Sequence, residues 1–223
     1  MSFKLFTEAI VKFISGILIV ALLLFVPAGA INYWNAWLFL GLLFIPMFIA
    51  GCVMLLKNPE LLKLRLNAKE KEGEQKQVVI ISAIMFLLGF ISAGLNFKYN
   101  WIVMPKVFVI LGSIIFLLAY IIYAEVLREN SSLARTIEVK ENQKLVTTGL
   151  YSIVRHPMYL ATLFLFLAMP LILGSLITFI IFLVYPLVIV KRIKNEEVVL
   201  EKRLKGYLEY KKKVKYKMIP FIW

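Results

Sequence analysis

Residues 157–190 read PMYLATLFLFLAMPLILGSLITFIIFLVYPLVIV, 34 residues without a charged side chain. As one helix, at ~1.5 Å per residue, they would extend roughly 50 Å, well beyond a hydrocarbon core of ~30 Å. The stretch must fold back on itself. The break is predicted at Met169-Pro170-Leu171-Ile172-Leu173-Gly174-Ser175, where Pro170 lacks a backbone donor and Gly174 tolerates a turn. A tight hairpin of two short or tilted helices follows, and it should bring His156 and Tyr159 at its start close to Arg192 and Glu196 just after its end.

Four further uncharged runs lie upstream, at Phe13–Ala30, Trp37–Leu56, Val78–Leu95 and Val107–Ala124, each long enough to span. With the hairpin they predict an all-α integral membrane protein of about six hydrophobic helices. The composition agrees: 61% hydrophobic and 17% charged residues, with mean hydropathy +0.86, exclude a soluble globular domain. The first run, with Lys4 and Lys12 ahead of it and Pro27-Ala28-Gly29-Ala30 behind it, resembles a signal peptide. It is read as a span because no exported soluble domain follows.

Charge sets the orientation. The stretch after the second run carries Lys57, Lys63, Arg65, Lys69, Lys71 and Lys76, and the stretch after the fourth carries Arg128, Arg135, Lys140, Lys144 and Arg155. Eleven more basic residues follow from Lys191 onward, whereas the first connection has no charge and the third only Lys98 and Lys106. The positive-inside rule therefore places both termini in the cytoplasm. The excess of 26 basic over 13 acidic residues is confined to these gaps, so it faces membrane lipids and implies no nucleic acid. Two amphipathic cytoplasmic helices are predicted: an interfacial one from Pro59, with Leu61, Leu62, Leu64 and Leu66 lying on the bilayer, and a tail from Arg192 interrupted by Gly206.

One cysteine, Cys52, and one histidine, His156, leave no disulfide framework and no zinc site, so no metal is expected. The reactive side chains cluster in three charged-side stretches: Gln143 to Tyr151, Arg155-His156-Pro157-Met158-Tyr159, and Arg192 to Glu197. This disfavours an ion or proton transporter, which keeps ionisable residues within its helices. Each stretch alone has a plain structural reading. Arg155-His156 can be a topology marker before a proline at the first helical position, Arg192 and Glu196 a solvated i, i+4 pair, and Tyr151 and Tyr159 interfacial belt residues. Their convergence around one hairpin favours a site.

The order Leu145-Val146-Thr147-Thr148-Gly149-Leu150-Tyr151, Arg155-His156-Pro157-Met158-Tyr159, Arg192 with Glu196-Glu197, Gly206-Tyr207-Leu208-Glu209-Tyr210 and Ile219-Pro220 resembles the isoprenylcysteine carboxyl methyltransferase family. It covers roughly residues 136–223, with a weaker echo in Pro59-Glu60-Leu61-Leu62; phospholipid N-methyltransferases and membrane sterol reductases share parts of it. The resemblance implies a membrane enzyme using S-adenosyl-L-methionine. On it, residues 1–223 form one membrane domain, with transmembrane helices over 1–130 and a cofactor-binding catalytic region over 131–223. Gln143, Lys144, Leu145, Val146, Tyr151, His156, Pro157, Met158, Tyr159 and Glu196 would contact the cofactor. Arg192 would face the methyl acceptor and, with Glu196, carry the catalytic role.

The chemistry suits those roles. A sulfonium and an ammonium call for a carboxylate such as Glu196 and aromatic faces such as Tyr151 or Tyr159. A carboxylate acceptor is already ionised at pH 7 and needs orientation rather than a base. A bidentate Arg192 supplies it, and in-line proximity can contribute about 7–11 kcal/mol. An amine acceptor would need to lose a proton, for which Glu197 is the nearby candidate base. The leading expectation is methylation of a lipid-like carboxylate entering from the bilayer. N-methylation of an aminophospholipid, a nicotinamide-dependent reductase and a non-catalytic membrane scaffold are the alternatives.

Overall fold

A computed structural model describes residues 3–67, 73–134, 136, 139 and 143–223, the side chain of Glu74 excepted. Lys69, Lys71, Arg135 and Lys140, used in the charge count, lie outside the described residues. The helices are α1 (Phe3–Ala28), α2 (Trp34–Lys57), α3 (Pro59–Leu66), α4 (Gly73–Tyr99), α5 (Lys106–Glu129), α6 (Pro157–Ile172), α7 (Leu176–Phe182), α8 (Tyr185–Arg203) and α9 (Tyr207–Lys213). Among the described residues the only bridge of β type is an isolated one between Val103 and Ser175. Among the described residues five stretches are long and apolar enough to cross a membrane, the last running from Leu176 to Arg203, and α6 is a shorter apolar helix.

In hydrocarbon every backbone group must find an internal partner, which makes helices the form these runs take. Ile110, Ile114, Leu118 and Ile121 recur at helical spacing along the exposed face of α5, as do Ile14, Leu18 and Leu22 along α1. Such stripes are lipid-facing surface. Opposite them Phe39, Phe116, Phe182 and Ile172 are fully buried in one core. The chain is an integral membrane protein.

The hairpin differs from the sequence expectation in two details. Pro170 does not end α6, which continues to Ile172, and the reversal falls on Leu173 and Gly174, the latter at φ +71°. Only the final turn is affected by a proline so near the helix end, and the positive φ requires glycine. The return arm is also two helices, restarting at Tyr185-Pro186 because Pro186 cannot donate to the preceding turn. Two side chains at the start of α2, its N-cap residue Tyr33 and Asn35 in its first turn, satisfy the carbonyls freed at the reversal. Asn35 Nδ2 donates to the Ile172 oxygen and Tyr33 Oη to the Leu173 oxygen, each at 2.8 Å.

At the opposite, charged end, α1 begins ten residues before its apolar run. Its Lys12 pairs with Glu8 at 2.5 Å and donates to the Leu66 carbonyl at 2.8 Å, tying α1 to α3. The α3 helix starts as predicted, with Pro59 in its first turn and Asn58 Oδ1 accepting from the Leu61 N–H at 3.1 Å. Its leucines are not all laid on the bilayer, however. Leu61 and Leu62 are buried inside the protein, because α3 packs back onto the end of the bundle. The tail is not a separate amphipathic helix either: α8 carries it without interruption from the apolar segment to Arg203, and Gly206 then divides it from α9.

Candidate active site

The reversal of α6 into α7 and α8 returns the chain to the level of Pro157. His156 is the N-cap residue of α6, and its backbone N–H donates to the Lys217 carbonyl at 2.8 Å, while Arg155 N–H donates to the Tyr216 carbonyl at 3.0 Å. The C-terminal segment thus lies along the start of the hairpin. From α6, Tyr159 Oη donates to Glu196 Oε2 at 2.6 Å and accepts from Arg192 Nε at 2.9 Å. Arg192 and Glu196 sit one helical turn apart on α8, so a single phenol bridges cation and anion. Either ring nitrogen of His156 meets a carboxylate: Nδ1 lies 4.0 Å from Glu196 Oε2 and Nε2 3.4 Å from Glu197 Oε1.

Glu197, the expected candidate base, is engaged elsewhere. Arg155 donates to its Oε1 through Nε and Nη2, both at 2.7 Å, and the two side chains are only 3% and 6% exposed. Tyr207 Oη donates to the same oxygen at 3.4 Å, and Lys217 Nζ stands 3.5 Å from Oε2. Arg155 also donates to the Val214 and Lys215 carbonyls at 2.7 and 2.8 Å. The pair therefore locks α8 to the start of α6 and to the C-terminal segment. A carboxylate held by so many donors is a structural anchor and a poor proton acceptor.

Beside these groups lies a cavity of about 760 Å³ of empty space, counting the part open to solvent. Gln143, Lys144, Leu145 and Val146 line it from the connection after α5, and Tyr151 from the short 3₁₀ turn Gly149–Ser152. His156, Pro157, Met158, Tyr159 and Glu196 complete the predicted set, all of which line this one cavity. Arg192 is not part of the lining and reaches it through Tyr159. Sequence reasoning missed Asn130, Thr136, Arg155, Leu200, Tyr207 and Tyr210 as cavity residues. Tyr207 and Tyr210 had a signal, since they stand three apart just after Gly206.

Glu129, at the end of α5, holds the 3₁₀ turn in place: both carboxylate oxygens accept from the Leu150 N–H at 3.1 Å. Gly149 is required there twice over, by φ +55° and because a Cβ would stand 1.5 Å from Glu129 Oε1. Tyr210 Oη anchors the same turn by donating to the Tyr151 carbonyl at 2.6 Å. The Tyr151 phenol accepts from Asn130 Nδ2 at 3.1 Å. Burial, with Glu196 and Glu129 nearby, pushes its pKa up to about 12, so it stays neutral and can donate. Burial raises Tyr207 and Tyr210 as well.

The donor set fits a zwitterionic sulfonium nucleoside. A carboxylate and several aromatic faces line one space, and Thr136 Oγ1, in a residue only 7% exposed, is buried there without a hydrogen-bond partner among the described residues. A buried orphan hydroxyl is costly unless a ligand or water meets it. Among the described residues no three or more His, Cys, Asp or Glu side chains come together as a metal site.

Residues 107–205, from α5 through the end of α8, match the family model described as phospholipid methyltransferase. The fold is similar to that of the eukaryotic intramembrane Ras methyltransferase ICMT, an isoprenylcysteine carboxyl methyltransferase. The TM-score is 0.59 at 16% identity, over 93% of this chain and 75% of that one. At that identity the likeness is one of fold. A comparison with curated protein sequences gives no match. Fold and family match together define the class: a membrane-embedded methyltransferase. The matched stretch contains all eleven residues singled out above from the sequence, Arg192 among them.

Proposed function

We propose that this protein transfers a methyl group from S-adenosyl-L-methionine to the carboxylate of a lipidic, isoprenylcysteine-like acceptor that enters from the bilayer. The cavity residues Gln143, Lys144, Leu145, Val146, Tyr151, His156, Pro157, Met158, Tyr159 and Glu196 would hold the cofactor, which when bound supplies an electrophilic methyl group. Residues 131–223 would form the catalytic region and residues 1–130 the membrane body. Glu196 would face the cationic part of the cofactor and Tyr159 would fix its rotamer. Arg192 would orient the acceptor carboxylate from the other side of Tyr159.

The observation that carries this reading is the Arg192–Tyr159–Glu196 chain at the cavity edge, with cation and carboxylate held apart by one phenol. The engagement of Glu197 by Arg155 supports a carboxylate over an amine acceptor, because an ammonium needs a base and this one is taken. N-methylation of an aminophospholipid is the second reading, favoured by the family model that matches residues 107–205. Both are tested together. S-adenosylhomocysteine should raise the melting temperature of the detergent-purified protein, and NADPH should not. Glu196→Gln should weaken that nucleoside's binding, while Lys213→Ala, at an exposed position, should not. Membranes given radiolabelled cofactor and a lipid extract should yield a base-labile label. A base-stable label would favour the amine, and no transfer with no nucleoside binding would end the enzyme reading.

The same reading places the charged end, with both termini, in the cytoplasm. A cysteine introduced at position 215 should then react with an impermeant maleimide only after the membrane is opened. Reaction in sealed cells would reverse the topology.

A further inference from the structure

Arg65 is not part of the cavity lining, but it brings a cation against two residues that are, from a part of the chain that the site residues do not include. It sits in the last turn of α3, on the charged end of the bundle. Its Nη1 donates to the Ala134 carbonyl at 3.2 Å and lies 3.7 Å from Met158 Sδ. Ala134 and Met158 both line the cavity. Its Nη2 donates to Tyr123 Oη of α5, and the guanidinium carbon stands 5.5 Å from that ring's centroid. The charge of Arg65 is felt at the Tyr151 phenol, where it opposes the upward push of burial, Glu196 and Glu129.

Among the described residues these partners are a carbonyl, a thioether and a phenol, none of them anionic. That separates Arg65 from the basic residues of the cavity lining. Arg155 is taken up by Glu197 and two carbonyls. His156 stands between two carboxylates, and Lys144 is exposed. A guanidinium has five N–H donors in a fork that matches a carboxylate, and a partly buried one with only neutral partners gains most from an arriving anion.

We propose that Arg65 is a carboxylate-binding residue of this cavity. The inference rests on the methyltransferase reading, which supplies two carboxylates: that of the cofactor's amino-acid end and that of the methyl acceptor. In either case α3, which lies far from the rest of the site in sequence, belongs to the binding machinery. Tyr123 serves as its positioning partner, presenting the guanidinium through a hydrogen bond and a ring face.

Calorimetry separates the possibilities with two nucleosides: S-adenosylhomocysteine and its decarboxylated counterpart, which keeps the adenosine, thioether and amino group. Arg65→Met should weaken the first by about tenfold or more and leave the second unchanged. Arg65→Lys should recover part of the loss, and Tyr123→Phe, which keeps the charge but removes the hydroxyl that positions it, should weaken the first by less than Arg65→Met does and leave the second unchanged. If the acceptor is the source, both nucleosides bind Arg65→Met normally. The KM for an S-prenylated N-acetylcysteine then rises about tenfold with kcat held. Equal losses for both nucleosides would make Arg65 a brace for Ala134 and Met158 and overturn the proposal, as would no change in either affinity or in KM. Wild-type protein that binds neither nucleoside would overturn the methyltransferase reading before any substitution is compared.

Discussion

Glu197→Ala should destabilise the protein by about 3–5 kcal/mol, because it leaves the Arg155 guanidinium buried without its counter-charge. Both side chains are almost fully enclosed, at 3% and 6% exposure, so water cannot take the place of the lost carboxylate. Arg155 would keep its bonds to the Val214 and Lys215 carbonyls. Tyr207 and Lys217 would lose a partner, and the C-terminal segment would be held to α6 less firmly, by those bonds and the backbone bonds from Arg155 and His156 alone. In a chain of this size the loss corresponds to a fall in melting temperature on the order of 10 °C. Thermal unfolding of the detergent-purified variant measures it. The double variant Arg155→Met, Glu197→Leu should recover much of the loss, since both charges leave together. A single variant melting with the wild type would show that the pair does not hold this end of the protein together.

The second large effect is expected at Arg192. If it orients an acceptor carboxylate, Arg192→Lys keeps the charge and loses the planar fork, and its bond from Nε to Tyr159 Oη goes with it. Turnover at saturating cofactor should fall by about 10²-fold, the scale of a misplaced reactant, while S-adenosylhomocysteine affinity stays near wild type. On this proposal the two observables would divide the site along Tyr159, with Glu196 on the cofactor side and Arg192 on the acceptor side. Should the acceptor be an amine, Arg192→Ala is tolerated or helpful, because a cation repels an ammonium. Unchanged turnover in both Arg192 variants would remove the carboxylate-orienting role and favour N-methylation.

Much of this site can be read in the sequence because a membrane leaves few alternatives. A 34-residue uncharged run must turn back, and its two ends must meet, which joins His156 and Tyr159 to Arg192 and Glu196. The side chains that complete the turn could not be read in the same way. Asn35 and Tyr33 reach the carbonyls of Ile172 and Leu173 from more than a hundred residues away. Nothing local to them marks them as caps. Glu129 is another case: its bond to the Leu150 N–H fixes the turn that presents Tyr151, yet in sequence it is one more charge at a helix end.

The sequence by itself determined the helical membrane class, the hairpin, and the ordered polar stretches that share one cavity, because hydrocarbon thickness and backbone satisfaction act on composition and length alone. Only the tertiary structure decided what the two neighbouring acids do. Successive residues on a helix point about 100° apart. Glu196 is therefore turned to Tyr159 and the cavity, while Glu197 is turned to Arg155 and the buried C-terminal segment. It also decided that Arg65 of α3 stands against the cavity wall. Contacts between distant segments depend on how the helices pack, and that packing is set by shape and burial rather than by any short stretch of residues.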